Sequence, residues 1–162
     1  AKEVTGMAKI DVTLKVQVQD GPIINDSTSL DIEASGKIDV LLPPGTVNTP
    51  LVVEVQPSAA AGQVKLVMVK SSLYSDSAND QKITYSVDGL DKEIELDQPH
   101  LYLGSGAVST LGDAPPKLLK FKNTYPTTLP ANEEAGTPEE DVSEKYTAQI
   151  TILVGRDATP DS

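Results

Sequence analysis

Apolar and polar residues alternate along much of this chain, and that alternation predicts its elements. Ala8, Ile10, Val12, Leu14, Val16 and Val18 stand at even positions, separated by Lys9, Asp11, Thr13, Lys15 and Gln17. Successive strand side chains point to opposite faces, so this period of two predicts a long strand with one apolar face. Val12 is expected deep in the core. Asp20-Gly21-Pro22 stops the strand. Leu30, Ile32, Ala34, Gly36, Ile38, Val40 and Leu42 repeat the pattern, with Gly36 the expected bulge or bend. Pro43-Pro44-Gly45 ends that stretch.

Further strands are predicted at Leu51–Gln56, Val64–Val69, Ile83–Val87, Glu93–Leu96, Leu101–Leu103, Lys117–Lys122 and Tyr146–Val154. Ser58 to Gly62 and Ser71 to Asp80 read as loops. Asp88-Gly89 reads as a hairpin turn. Val64–Val69 is apolar almost throughout, which predicts a strand covered on both faces, by the fold or by a neighbouring subunit. Ile150 belongs to the apolar face of the last strand. No long segment keeps a helical apolar stripe. Thr137-Pro138-Glu139-Glu140 offers the best helix start, with Thr137 as N-cap and Glu140 completing a capping box. The pattern therefore predicts a single all-β domain over 1–162. It is an antiparallel β-sandwich or jelly roll of about eight strands, with at most one or two short helical turns.

Composition narrows the possible jobs. The 162 residues include no Cys and no Trp, which rules out disulfides and thiolate metal sites. Net charge is −11, whereas phosphate binding draws on clustered Lys and Arg, so no nucleic-acid partner is expected. No apolar run reaches the roughly 20 residues of a membrane helix, and no signal-peptide pattern opens the sequence. Whether Ala1 follows a removed Met or a removed signal stays open. Residues 123–144 form an acidic Pro/Glu-rich loop or arm. Glu133, Glu134, Glu139, Glu140, Asp141 and Glu144 lie there without a single Lys or Arg. Such a stretch is a solvated loop or an arm for a basic partner.

Candidate chemistry is sparse. His100 is the only histidine, and Asp97 could orient it as a general base. No nucleophile elbow accompanies it, since Gly104-Ser105-Gly106 lacks that frame, and His100 reads as a surface residue following Pro99. Asp91, Glu93, Glu95 and Asp97 share one parity and read as the solvent face of a strand rather than a calcium loop. Lys117, Lys120 and Lys122 read as protection of an edge strand. No catalytic, cofactor-binding or metal residue is assigned, and no cofactor is expected. Spatially paired carboxylates, as in a hydrolase, remain an alternative that sequence alone leaves open.

Long β-branched strands, polar tails at Ala1–Gly6 and Arg156–Ser162, and an acidic, cysteine-free composition give the chain its profile. Over residues 8–154 it resembles the small all-β virion proteins that decorate or cement capsids of tailed phages. The resemblance is one of pattern and transfers no functional residue. It implies a non-enzymatic structural protein of the virion, made in the host cytoplasm. Its partners would be copies of itself, as a trimer or dimer, and a major capsid or other assembly protein. An extracellular or cell-surface β-sandwich binding or adhesion module fits the same pattern.

Overall fold

The computed structural model describes residues 8–56, 62–87 and 89–157. Of the sequence expectations, the N-terminal tail Ala1–Gly6, most of the loop at 58–62, Asp88 of the hairpin turn and the last five residues lie outside that description.

Two four-stranded antiparallel sheets face each other. One holds β3 (Ala34–Leu42), β12 (Ala148–Arg156), β5 (Val64–Ser71) and β8 (His100–Leu103), in that order. The other holds β4 (Leu51–Glu54), β9 (Leu118–Asn123), β6 (Ile83–Val87) and β7 (Ile94–Glu95). Within this set of eight, the first strand pairs with the last, β3 with β12. The second pairs with the seventh, β4 with β9, and the third with the sixth, β5 with β8. The fourth and fifth, β6 and β7, pair with each other. This is one long hairpin rolled onto itself, and β12–β5 and β9–β6 pairings seal the roll into two sheets. The chain is thus an all-β jelly roll.

Alternation decides which side chains enter the space between the sheets. Ile150, Ile152 and Val154 of β12 point inward beside Val67 and Val69 of β5. Leu119 and Phe121 of β9 meet Ile83 and Tyr85 of β6 from the opposite sheet, all nearly fully buried. With one Phe and no Trp, aliphatic residues fill most of this core.

Five expectations are corrected. The first predicted strand, β1 (Ala8–Gln17), does not join the sandwich. It pairs only with β2 (Ile23–Ile32) as a separate two-stranded arm, and Val12 is half-buried rather than deep. The second predicted stretch breaks at Glu33, not at Gly36. The β3–β12 ladder runs through Gly36 without a shift, and the irregularity falls at Gly155/Arg156 on β12. No helix starts at Thr137. Asn132 bridges Thr137, and β11 (Glu140–Asp141) pairs with β10 (Thr128–Leu129). The helical turns lie instead at Ser77–Asn79 and in α1 (Ser105–Val108), which runs on through Leu111 and tucks Val108 and Leu111 into the core. Finally, the lysine-bearing strand β9 is central to its sheet, between β4 and β6, so its lysines guard no edge. Arg156, expected in a tail, is the last residue of β12.

The arm roots on the outer face of the β3–β12–β5–β8 sheet. Val154 points inward, so Gly155 points outward, opposite Leu66. Ile10 and Ile32 of the arm close over Gly155. A Cβ there would stand 2.6 Å from Ile10 Cδ1 and 3.4 Å from Ile32 Cγ2, which only glycine avoids. Ile32 and Leu66 are buried outside the central cluster and form a small second core at this root. The expected cover on both faces of Val64–Val69 is met at Leu66 by the chain's own arm and not at Met68, which stays partly exposed.

Candidate interaction surface

The residues that sequence reading singled out for chemistry lie apart or inside. His100 is not a surface residue. Its strand turns it inward, where Nδ1 lies 2.6 Å from the Tyr85 hydroxyl, and that hydroxyl lies 2.8 Å from the Tyr102 hydroxyl. Asp97 does reach His100, 3.6 Å from Nε2. The chain Asp97–His100–Tyr85–Tyr102 thus satisfies polar groups at the rim of the core, as buried hydroxyls require. Tyr85 is 1% exposed, and burial followed by the Tyr102 hydrogen bond raises its pKa well above the ordinary tyrosine value. The Tyr85 side chain is shielded from solvent, whereas His100 and Tyr102 at the rim are partly exposed.

The acidic run is solvent-facing at Asp91, Glu93 and Asp97, and its members diverge. Glu93 pairs with Lys122 across the outer face of its sheet, Glu95 accepts from Ser77, and Asp97 turns to His100. Among the described residues, no three His, Asp or Glu side chains gather closely enough to hold a metal ion. Ser105 opens α1 and lines a small pocket with Asp113 and Val108.

The acidic excursion has a buried root and an exposed tip. Asn123, fully buried at the end of β9, donates from Nδ2 to the carbonyls of Leu42 and Tyr146 and accepts from the Tyr125 N–H at Oδ1. Its own carbonyl accepts from Gly45 and Thr46. One side chain therefore ties together the end of β3, the start of the excursion and its return. Tyr125 and Tyr146 stack with centroids 5.0 Å apart, and the Tyr125 hydroxyl donates to the Tyr74 carbonyl. Residues 130–141 are all exposed. Sequence reading missed Asn123, although its signal was present: Leu119, Phe121 and Asn123 share one parity, and a polar residue at an inward position needs partners.

The largest unpartnered apolar surface lies on the arm. In the β1–β2 register Ala8 faces Ile32, Ile10 faces Leu30, Val12 faces Thr28, Leu14 faces Asp26 and Val16 faces Ile24. Directly opposed residues share a face, so one side of the ribbon is apolar from root to tip except at Thr28 and Asp26. Its cover fails along the way. Ile32 is 1% exposed at the root, whereas Leu14 is 39%, Val18 57%, Val16 62% and Ile24 67% exposed. The opposite side carries Lys9, Asp11, Lys15, Ser27, Ser29 and Asp31, with Ile23 beside the tip as its one large apolar residue, and is wetted throughout, with Ser29 donating to Asp11 and Lys9 near Asp31. Asp20, in the left-handed region at φ 57°, and Gly21 close the tip. Grouped exposure of this kind marks a contact surface, whereas single scattered apolar residues do not.

Comparison with known proteins finds no family model, no curated protein and no solved structure that matches the chain.

Proposed function

We propose that this chain is a non-enzymatic structural subunit that associates with copies of itself and coats or cements a larger particle such as a phage capsid. The observation that carries the reading is the arm. Its apolar face is already one side of a packing surface at Ile10 and Ile32, and the same face continues uncovered through Leu14, Val16, Val18 and Ile24. Burial of such side chains contributes roughly 1.5–3 kcal/mol each, so a second molecule that covers them gains substantially. The jelly roll supports the reading, since capsid proteins use this connectivity among other classes, but a fold by itself assigns no job. The polar network around Tyr85 and His100 supports it too, because it is spent on internal order.

Repeated many times on a symmetric particle, such contacts would stabilise the assembled form by linkage, because the subunit binds the lattice and not its dissociated parts. A dimer or trimer and a major capsid or other assembly protein are the proposed partners. Two measurements test this together. Light scattering on the purified chain should report a mass above 17.1 kDa that rises with concentration. Gold-labelled antibody against the chain should decorate particles from its native source at regular spacing. A monomeric mass at every concentration with unlabelled particles would overturn the proposal.

A further inference from the structure

We infer that the exposed strip of the arm docks on the outer face of the β3–β12–β5–β8 sheet of a second copy of this chain. The inference rests on the reading of the chain as self-associating and names the surfaces that meet.

Both halves of the contact are present in one molecule and do not overlap. The donor is Leu14, Val16, Val18 and Ile24. The acceptor lies one residue row beyond the arm's own root. There the register sets Leu153 beside Met68 and Met68 beside Leu101, all pointing outward because their neighbours Ile152, Val69 and His100 point in. Leu101 is 37% exposed, and Leu153 and Met68 are partly exposed. The first row of this face, Gly155 and Leu66, already receives Ile10 and Ile32. The surface has therefore been shaped to take a ribbon of this composition, and its apolar character continues past the place where the chain's own arm stops covering it.

Charge fits the same pairing. Asp26 is the one charged residue on the arm's apolar face, opposite Leu14, and it makes no ion pair among the described residues. The acceptor row is flanked by Lys37, opposite Leu153, and by Lys70, next along β5. Both lysines line an open groove of about 300 Å³ on this outer face together with Asp39, which lies 3.5 Å from the Lys37 ammonium, so the groove carries one net positive charge. A carboxylate carried in on the arm meets Lys70 there, beside the Lys37–Asp39 pair, and completes a balanced set of two cations and two carboxylates. Area points to reciprocal exchange. The four donor side chains expose on the order of 350 Å² of apolar surface. One contact then buries about 700 Å² over both partners, and two reciprocal contacts about 1,400 Å², which enters the range of stable interfaces. A two-fold dimer in which each arm lies on the other's sheet supplies both.

The chain has no cysteine, so each single-cysteine variant carries one thiol. Val16→Cys marks the arm and Leu101→Cys the acceptor face. Both positions are exposed, and equal melting temperatures for the two variants and the parent establish that they fold. The variants are mixed, left to exchange subunits and treated with a short bis-maleimide linker whose reach covers neighbouring registers. Several-fold more covalent dimer in the mixture than in either variant alone is the expected result. Cross-linking of Val16→Cys alone to the same extent would overturn the inference in favour of arm-on-arm contact. A dimer by light scattering with no cross-link in the mixture would overturn it and leave self-association standing. A monomer at all concentrations would overturn both. Independently, Val16→Asp should weaken self-association at least about tenfold without lowering the melting temperature of the monomer; unchanged association would count against the docking strip.

Discussion

The jelly roll carries two long excursions, and they solve opposite problems. The arm, β1 and β2, is regular along its whole length and apolar on one face, yet among the described residues the half of that face toward the tip stays exposed. The acidic excursion between β9 and β12 is irregular and polar, yet its root is locked by Asn123, Tyr125 and Tyr146. Regular structure and burial are therefore separable. A two-stranded ribbon pairs its inner backbone groups and leaves the outer ones to water, and it cannot bury its side chains without a third layer. The excursion buries a few side chains and leaves its tip to water, because carboxylates and prolines offer little apolar area to offset ordering entropy.

The strongest test sets the arm against the sandwich. Ile150→Asp places a carboxylate in the closed core and should cost several kcal/mol, enough to abolish folding. Val12→Asp, at the same parity on a strand of the same kind, should cost about 1 kcal/mol or less, since its face is open. Equal losses by thermal or urea denaturation would mean that the arm is packed as core. The root of the excursion comes next. Asn123→Ala strands two buried carbonyls and one N–H, and should destabilise by about 3 kcal/mol or more. A loss near zero would show that those groups find water.

Alkaline pH separates the regions without mutation. The raised folded pKa of Tyr85 means that its stabilising share is complete below the unfolded value near 10 and is lost as pH rises beyond it. Stability should fall above about pH 10, and Tyr85→Phe should blunt that fall; an identical pH profile in the variant would refute this. Gly155→Ala tests the arm's root. The new methyl displaces Ile10 and costs about 1 kcal/mol, with Ile32 becoming more accessible by hydrogen exchange at the neighbouring amides. The smallest effect belongs to the tip of the excursion. Replacement of residues 131–141 by a short Gly/Ser linker should change stability by no more than about 0.5 kcal/mol, because closure entropy varies slowly with loop length. A large drop would place the tip inside the packing.

Alternation in the sequence located nearly every strand of the two sheets, because each such strand has one wet and one dry face and the period of two records that directly. It located β1 equally well and misjudged it, since a period of two reports that a face is apolar and not what covers it. The first seven of the ten residues of β2, Ile23–Ser29, escaped altogether, for polar residues dominate them and their partner is another arm strand rather than the core. Thr137-Pro138-Glu139-Glu140 has every local mark of a helix start but no apolar stripe to bury, and pairing of Glu140 and Asp141 with β10 took its place. His100 was misread for a different reason. Leu101 and Leu103 are the more apolar pair on β8, yet they face outward, and the inward pair is His100 and Tyr102, whose polar tips are satisfied by Tyr85. The arm's exposed apolar strip was half legible: its first strand was visible, but its exposure depended on the break at Glu33, which no residue pattern announces.

The pairing of β3 with β12 also dictates how the molecule comes to be. Ala34 finds its partner at Arg156 and Leu42 at Ala148, so the outermost ribbon of the roll joins segments more than a hundred residues apart. Contacts of such long sequence separation make the search slow, and sandwich topologies fold on the millisecond-to-second scale rather than in microseconds. Until the last strand arrives, β3 and β5 lack the strand that sits between them, and the apolar run Val64–Val69 stands open beside the arm's bare strip. On a ribosome this is the interval of greatest exposure to wrong partners, and it ends only after residue 156 has emerged.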